Sequence, residues 1–382
     1  MSEPLKYLID AAAAVGLFFA LLIVFAVDWL TSGTRANTLT NVEVRPASTQ
    51  TKKLKLAVVK THEGMNQLTQ RREKWDDMGK LLRKLGEGYP FDDLDVLDVV
   101  KLHETNKLKE YDVVFLTCNQ PNHDDLLRDP IQKYVEGGGI LYASDWRYTA
   151  IAKAFPELVN KQTADAGVAQ KVNADIVDPA LREALKENSI RLDFNLDQWR
   201  TAAFSGPGVE VLMKGAYRPV RGEMRTAPLM VRFPFGNNNG KVIFTSFHNE
   251  SQNSDLEVKL LQYLVFSLVT ESIEAELNAS SAKEGFESRG SNLLSTQAKK
   301  DEPRIYDNPR VCTLRFALGY RGERYKLRFT IESPSGKIFS HVCEGTTTLE
   351  VTEAEKGKWK YSVENINAPD NLAFRMIVVE KR

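Results

Sequence analysis

Cysteine is scarce in this chain: three in 382 residues, Cys118, Cys312 and Cys343, with no C-x-x-C pair among them. That spacing gives neither a zinc-ribbon framework nor the paired pattern of a disulfide-stapled domain. Cys312 and Cys343 could staple two strands only in an oxidising compartment. Histidine is as thinly spread, at His62, His103, His123, His248 and His341, so no metal cluster can be read and no cofactor motif accompanies it. An excess of charge of one sign is missing too, because Lys plus Arg and Asp plus Glu each number 51. A nucleic-acid binder normally carries a basic excess or stripe, so no nucleic-acid partner is expected. Long apolar runs are also lacking, with one exception.

That exception is Ala11 to Val27, bounded by Asp10 and Asp28 and extended by Leu8, Ile9, Trp29 and Leu30. It reaches the roughly 20 residues an α-helix needs to cross about 30 Å of hydrocarbon. Residues 7–30 are therefore expected to form one transmembrane helix, making this a single-pass cell-membrane protein with the lipid bilayer as its first partner. The run is longer than a signal-peptide core and ends in an interfacial Trp29 rather than a small-x-small cleavage site. Lys6 and the amino terminus, against Arg35 and Arg45 beyond the span, favour soluble parts outside the cytoplasm.

Beyond the run the chain divides by pattern. Residues 31–52, rich in Thr, Ser and Asn, read as a stalk. Leu56–Val59, Tyr111–Thr117 and Ile140–Ala143 are short buried-strand runs. Leu68, Trp75, Met78, Leu82 and Leu85 recur on one helical face, and Asp124 to Gly137 reads as a second helix. Asp178-Pro179 suits an N-cap followed by N1. Leu229–Phe233 and Lys241–Phe247 flank a Gly/Asn loop as a hairpin, and Leu256, Leu260, Leu261, Leu264, Val265 and Leu268 form a closing helix. Alternating strands and helices imply a parallel sheet covered on both faces, over residues 53–272. Residues 273–302 read as a flexible linker. In 303–382, Tyr325, Leu327, Phe329 and Ile331 alternate with Lys326, Arg328 and Thr330, as in an all-β sandwich.

Three motifs carry a family resemblance over residues 54–270: Tyr111-Asp-Val-Val-Phe-Leu116, Gly137-Gly-Gly-Ile-Leu-Tyr-Ala-Ser-Asp-Trp146 and Thr245-Ser-Phe-His-Asn-Glu250. Together they resemble the class I glutamine amidotransferase-like superfamily, which implies a flavodoxin-like α/β fold. The resemblance places the family's elbow nucleophile at Ser144 or Asp145, and no cysteine stands at either. It places the family's His-x-Glu pair at His248 and Glu250. The loop Thr117-Cys-Asn-Gln-Pro-Asn122 lacks the family's oxyanion glycines. With its Ser333-Pro-Ser-Gly-Lys337 turn and Gly357-Lys-Trp-Lys-Tyr361, the terminal unit resembles the jelly-roll or immunoglobulin-like sandwiches appended to bacterial pre-peptidases and to proteins with von Willebrand A-type domains, which implies protein contacts.

In such a fold the carboxyl ends of the strands gather the site. Asn119, Ser144, Asp145, Trp146 and His248 are the expected ligand-pocket residues. Ser144 or Cys118, with His248 and Glu250, would form the machinery of a hydrolase or amidase. Without the elbow cysteine and the oxyanion loop, the expected role is a non-catalytic membrane scaffold or sensor, recruiting protein partners or a small ligand.

Overall fold

The computed structural model describes residues 38–46, 53–60, 63–65, 72–74, 76–120, 122–238, 240–249, 251–252, 254–295, 302–322 and 325–381. Among the described residues strand outweighs helix, 42% against 27%. The largest sheet has nine strands. In spatial order they are Ser189–Phe194, Gln170–Ile176, Glu210–Tyr217, Arg225–Phe235, Gly240–Thr245, Ile140–Ser144, Val113–Leu116, Leu56–Val59 and Phe91–Leu94.

This sheet corrects the expected fold class. The four pairings from Gly240–Thr245 to Phe91–Leu94 are parallel, but the four on the other side are antiparallel. A mixed sheet in a mostly β molecule is not the doubly wound, all-parallel arrangement that the amidotransferase-like resemblance implied. The reason lies in side-chain patterning. Leu56–Val59, Val113–Leu116 and Ile140–Ser144 are buried at every position, as parallel strands covered on both faces are. In Gln170–Ile176 only Val172, Ala174 and Ile176 face inward while Lys171, Asn173 and Asp175 face water. Such half-wet strands pair antiparallel. The first helix also starts later than expected, at Met78, after a short strand Arg72–Lys74; Leu68 and Trp75 lie outside the described residues.

A β-sandwich forms the second unit. Its five-stranded sheet runs Val42–Pro46, Thr347–Ala354, Cys312–Tyr320, Ala373–Lys381, Glu287–Ser295, and its four-stranded sheet Arg304–Asn308, Gly357–Asn365, Lys326–Glu332, Ile338–Glu344. Phe316, Phe329, Trp359 and Tyr361 fill the space between them. Two expected boundaries change. The segment read as a stalk over 31–52 contributes the edge strand Val42–Pro46, paired with Thr347–Val351, while 31–37 and 47–52 lie outside the described residues. The segment read as a linker over 273–302 is helix as far as Lys283 and then strand Glu287–Ser295, with 296–301 outside the described residues. A Ser254/Glu257 capping box starts the 29-residue helix Asp255–Lys283. Its first half packs Leu260, Leu264 and Leu268 on the large sheet. Its second half sets Ile273 and Leu277 against Ala317, Ile377 and Val379 of the sandwich. A narrow stripe needs few apolar residues, so the composition looked like linker.

The helix comes this close because Gly319 has no side chain. A Cβ there would lie 2.4 Å from Ile273 Cγ2 and 3.0 Å from Leu277 Cδ1. Gly319→Val is expected to lower stability by about 1–3 kcal/mol through overpacking, read as a fall in the urea midpoint. Polar contacts flank the seam, with Arg375 Nε donating to Thr270 Oγ1 at 2.9 Å and Arg321 paired with Glu276 at 2.7 Å.

The membrane expectation is corrected as well. The span 7–30 lies outside the described residues, and among the described residues no helix is long and apolar enough to cross a membrane. The expected single-pass placement, and the orientation derived from it, therefore have no structural element to rest on. None of the three cysteines forms a disulfide, and Cys312 and Cys343 sit in different sheets.

Candidate functional site

Three adjacent parallel strands end side by side, and the residues just beyond them meet. Cys118 follows Val113–Leu116 by two residues, Asp145 follows Ile140–Ser144 directly, and His248 follows Gly240–Thr245 by three. Asp145 has φ of 42°, a left-handed conformation rare for a residue with a side chain. It opens a 3-10 turn leading into the helix Tyr148–Ala154, so the chain reverses sharply there. Of the two positions open for the elbow, the strained one is Asp145.

Ser144, Asp145, Cys118 and His248 are all buried. Ser144 Oγ accepts the Cys118 backbone N–H at 2.8 Å and donates to Asp76 Oδ2 at 2.5 Å. The other oxygen of Asp76 accepts the backbone and side-chain N–H groups of Asn249, at 3.0 and 2.9 Å. Asp145 Oδ1 accepts the Arg200 backbone N–H at 2.7 Å, while Oδ2 takes the Cys118 thiol at 3.6 Å. His248 Nδ1 lies 3.0 Å from Asn195 Oδ1 and Nε2 lies 2.8 Å from Asp145 Oδ2. Although that second separation is an ion-pair distance, the ring N–H axis misses the oxygen, and Nε2 has no aligned hydrogen bond.

Electrostatics follow from the burial. Desolvation pushes the Cys118 thiol up to about 11, so the sulfur is protonated at neutral pH. Desolvation also raises Asp76, against the pull of His248, Ser144 and Asn249. For His248, burial opposes the charged form, but the neighbouring Cys118 sulfur and Asp145 carboxylate outweigh it and hold the imidazole well above its ordinary value.

The expected site residues do not assemble into a triad. Ser144 is engaged with Cys118 and Asp76, not with His248, and Glu250 lies outside the described residues. Asn119 braces its own loop, donating to the Lys60 carbonyl at 3.2 Å and accepting from Gln120 N–H at 2.8 Å. Trp146 is half-buried and donates to the Gln198 carbonyl at 3.0 Å. Asp76, Asn195 and Arg147 were not legible. Asp76 precedes the Asp77 that caps the helix Met78–Leu85, and nothing in the pair tells which one turns inward. Arg147 pairs with Asp124 at 2.7 Å, both buried, directly behind the elbow; in sequence it is an ordinary basic residue. Asn249 had a signal, because it sits inside the Thr245–Glu250 motif.

No family model matches this chain, and no curated protein matches it. Among solved structures it is similar to an exo-β-1,4-mannosidase from Opitutaceae bacterium strain TAV5, at TM-score 0.30 and 15% identity over 59% of this chain and 35% of that one. It is also similar to RmlC from Streptococcus suis, solved with dTDP-D-xylose, at TM-score 0.18 and 12% identity over 41% of this chain and 66% of that one. A third likeness is to the baseplate tripod of bacteriophage Tuc2009, at TM-score 0.16 and 13% identity over 26% of this chain and 66% of that one. This chain thus spans about a third of the mannosidase and just under two thirds of the other two. At scores this low the likenesses bear on neither fold nor function.

Proposed function

We propose that this chain is a non-catalytic recruiting protein, whose strand-end cluster holds the fold together while its outer surfaces bind protein partners. One observation carries the reading: each group that could attack a substrate is buried and already committed. Ser144 Oγ is fixed between the Cys118 N–H and Asp76, and the Cys118 thiol is protonated against Asp145. A nucleophile needs a base within hydrogen-bond reach and an approach for substrate. Neither ring nitrogen of His248 faces Ser144 Oγ; one faces Asn195 and the other Asp145.

Recruitment has a surface available. The edge strand Ile338–Glu344 of the sandwich, bridged at Ile338 by Thr38 and Leu39, exposes Ile338 and Val342 on one face, and the rest of its edge is the kind another chain can extend. Affinity capture with the full chain tests the reading. Ser144→Ala and His248→Ala should each capture the same partners as the parent, at a stability cost of about 1–3 kcal/mol for the polar groups the first leaves unpaired and about 3–5 kcal/mol for the buried charged pair the second breaks. Purified protein should release no ammonia from glutamine. A folded Ser144→Ala or His248→Ala protein that has lost its biological activity, with the double variant no worse than either, would instead establish a catalytic unit.

A further inference from the structure

Beyond recruitment, the geometry points to a zinc(II) site formed by Cys118 Sγ, Asp145 Oδ2 and His248 Nε2 at the ends of three adjacent strands. The three atoms lie within 4.8 Å of one another, and all three residues are buried. Zinc bonds of about 2.0–2.3 Å set tetrahedral ligands about 3.3–3.8 Å apart. The sulfur-to-carboxylate separation of 3.6 Å already meets this, and the 2.8 Å between imidazole and carboxylate must open by roughly half an ångström.

A second observation is independent of proximity. His248 Nε2 is a buried ring nitrogen without an aligned hydrogen bond, although it lies 2.8 Å from Asp145 Oδ2. Its orientation is set from behind: Asn195 Oδ1 can only accept, so Nδ1 carries the proton, and a neutral ring then presents its lone pair at Nε2. Metal-bound histidines are held this way. A thiolate and an imidazole select zinc over magnesium or calcium. A thiolate plus a carboxylate also cancels the charge of a divalent ion, as a sealed site requires. Binding displaces the thiol proton and, from a charged ring, the Nε2 proton, both to solvent. The strained Asp145 backbone holds the carboxylate at the centre of the group.

The test uses the full chain, analysed for zinc as purified and reconstituted with cobalt(II) chloride after chelation. About one zinc per chain and a thiolate-to-cobalt charge-transfer band are expected. The band should survive in the Cys312→Ser/Cys343→Ser double variant, in which Cys118 is the remaining thiol, and vanish in Cys118→Ser. Asn195→Ala should weaken zinc binding by about 10–100-fold. Natively folded protein with neither zinc nor the band overturns the site. So does a band lost with Cys312 and Cys343, or an unchanged affinity in Asn195→Ala. Because the double variant leaves all three ligands intact, the assignment stays open to refutation even if Cys118→Ser fails to fold.

Discussion

Asp145→Ala, measured on the metal-stripped chain, is expected to lower folding stability by about 3–5 kcal/mol, the range for removing one member of a buried charged pair. The substitution removes the carboxylate beside His248, the acceptor of the Arg200 N–H and the oxygen that takes the Cys118 thiol. It also gives back a little, because alanine at φ of 42° is no less strained than aspartate but no longer carries a charge to desolvate. The double variant Asp145→Ala/His248→Ala should therefore lose less than the sum of the singles, a coupling that a thermodynamic cycle reads directly. Additive losses would mean that the two side chains do not depend on each other.

The same pair sets a pH dependence. His248 binds its proton more tightly folded than unfolded, so the stability it contributes is fully present below the imidazole's ordinary 6.5 and is lost as the pH rises through its raised folded value. Asp76 is also raised and acts in the same direction, with a window that opens at its ordinary 3.8. Above 6.5 the metal-stripped parent chain should lose stability with rising pH, and metal-stripped Asp145→Ala should lose less, since Asp76 is common to both. Denaturant midpoints between pH 6 and 9, intervals chosen around the imidazole value, give the comparison. Equal slopes would remove His248 as the titrating group.

How much of this was legible follows from the kind of signal each element carries. Val113–Leu116 and Ile140–Ser144 announce themselves because strands buried on both faces are continuous apolar runs. The positive φ at Asp145 had no signal, because the motif marked Ser144 and Asp145 only as candidate positions for a nucleophile. Gln170–Ile176 and Ser189–Phe194 were passed over because their wet faces dilute the apolar signal by half, so that of the antiparallel side only the hairpin Leu229–Phe233/Lys241–Phe247 was read. Edge strands are weaker still: Val42–Pro46 and Glu287–Ser295 touch one neighbour each and can be polar along most of their length. The site shows the sharper limit. Cys118, Asp145 and His248 lie 27 and 103 residues apart in sequence, and they were expected together only at the strand ends of a resembled fold, because strand order is not encoded by spacing.

Leu277→Ala tests the part of the architecture that composition concealed. Leu277 is buried among Ile273, Phe286, Ala317, Ile377 and Val379, where the long helix meets the sandwich. Truncating a buried leucine there should lower stability by about 2–5 kcal/mol, transfer and cavity terms together. The location predicts more than a magnitude. The helix packs its first half on the large sheet and its second half on the sandwich, so each unit is stabilised by a surface the other presents. With the seam weakened, hydrogen exchange across Gln170–Ile176 and Gly357–Asn365, both remote from Leu277 in sequence, should cease to rise together with denaturant. The parent chain should show one shared opening and the variant two, with the sandwich able to open while the large sheet stays protected. If both segments still open together in Leu277→Ala, the units are coupled by something other than this helix, and the polar pairs Arg375–Thr270 and Arg321–Glu276 become the contacts to remove next.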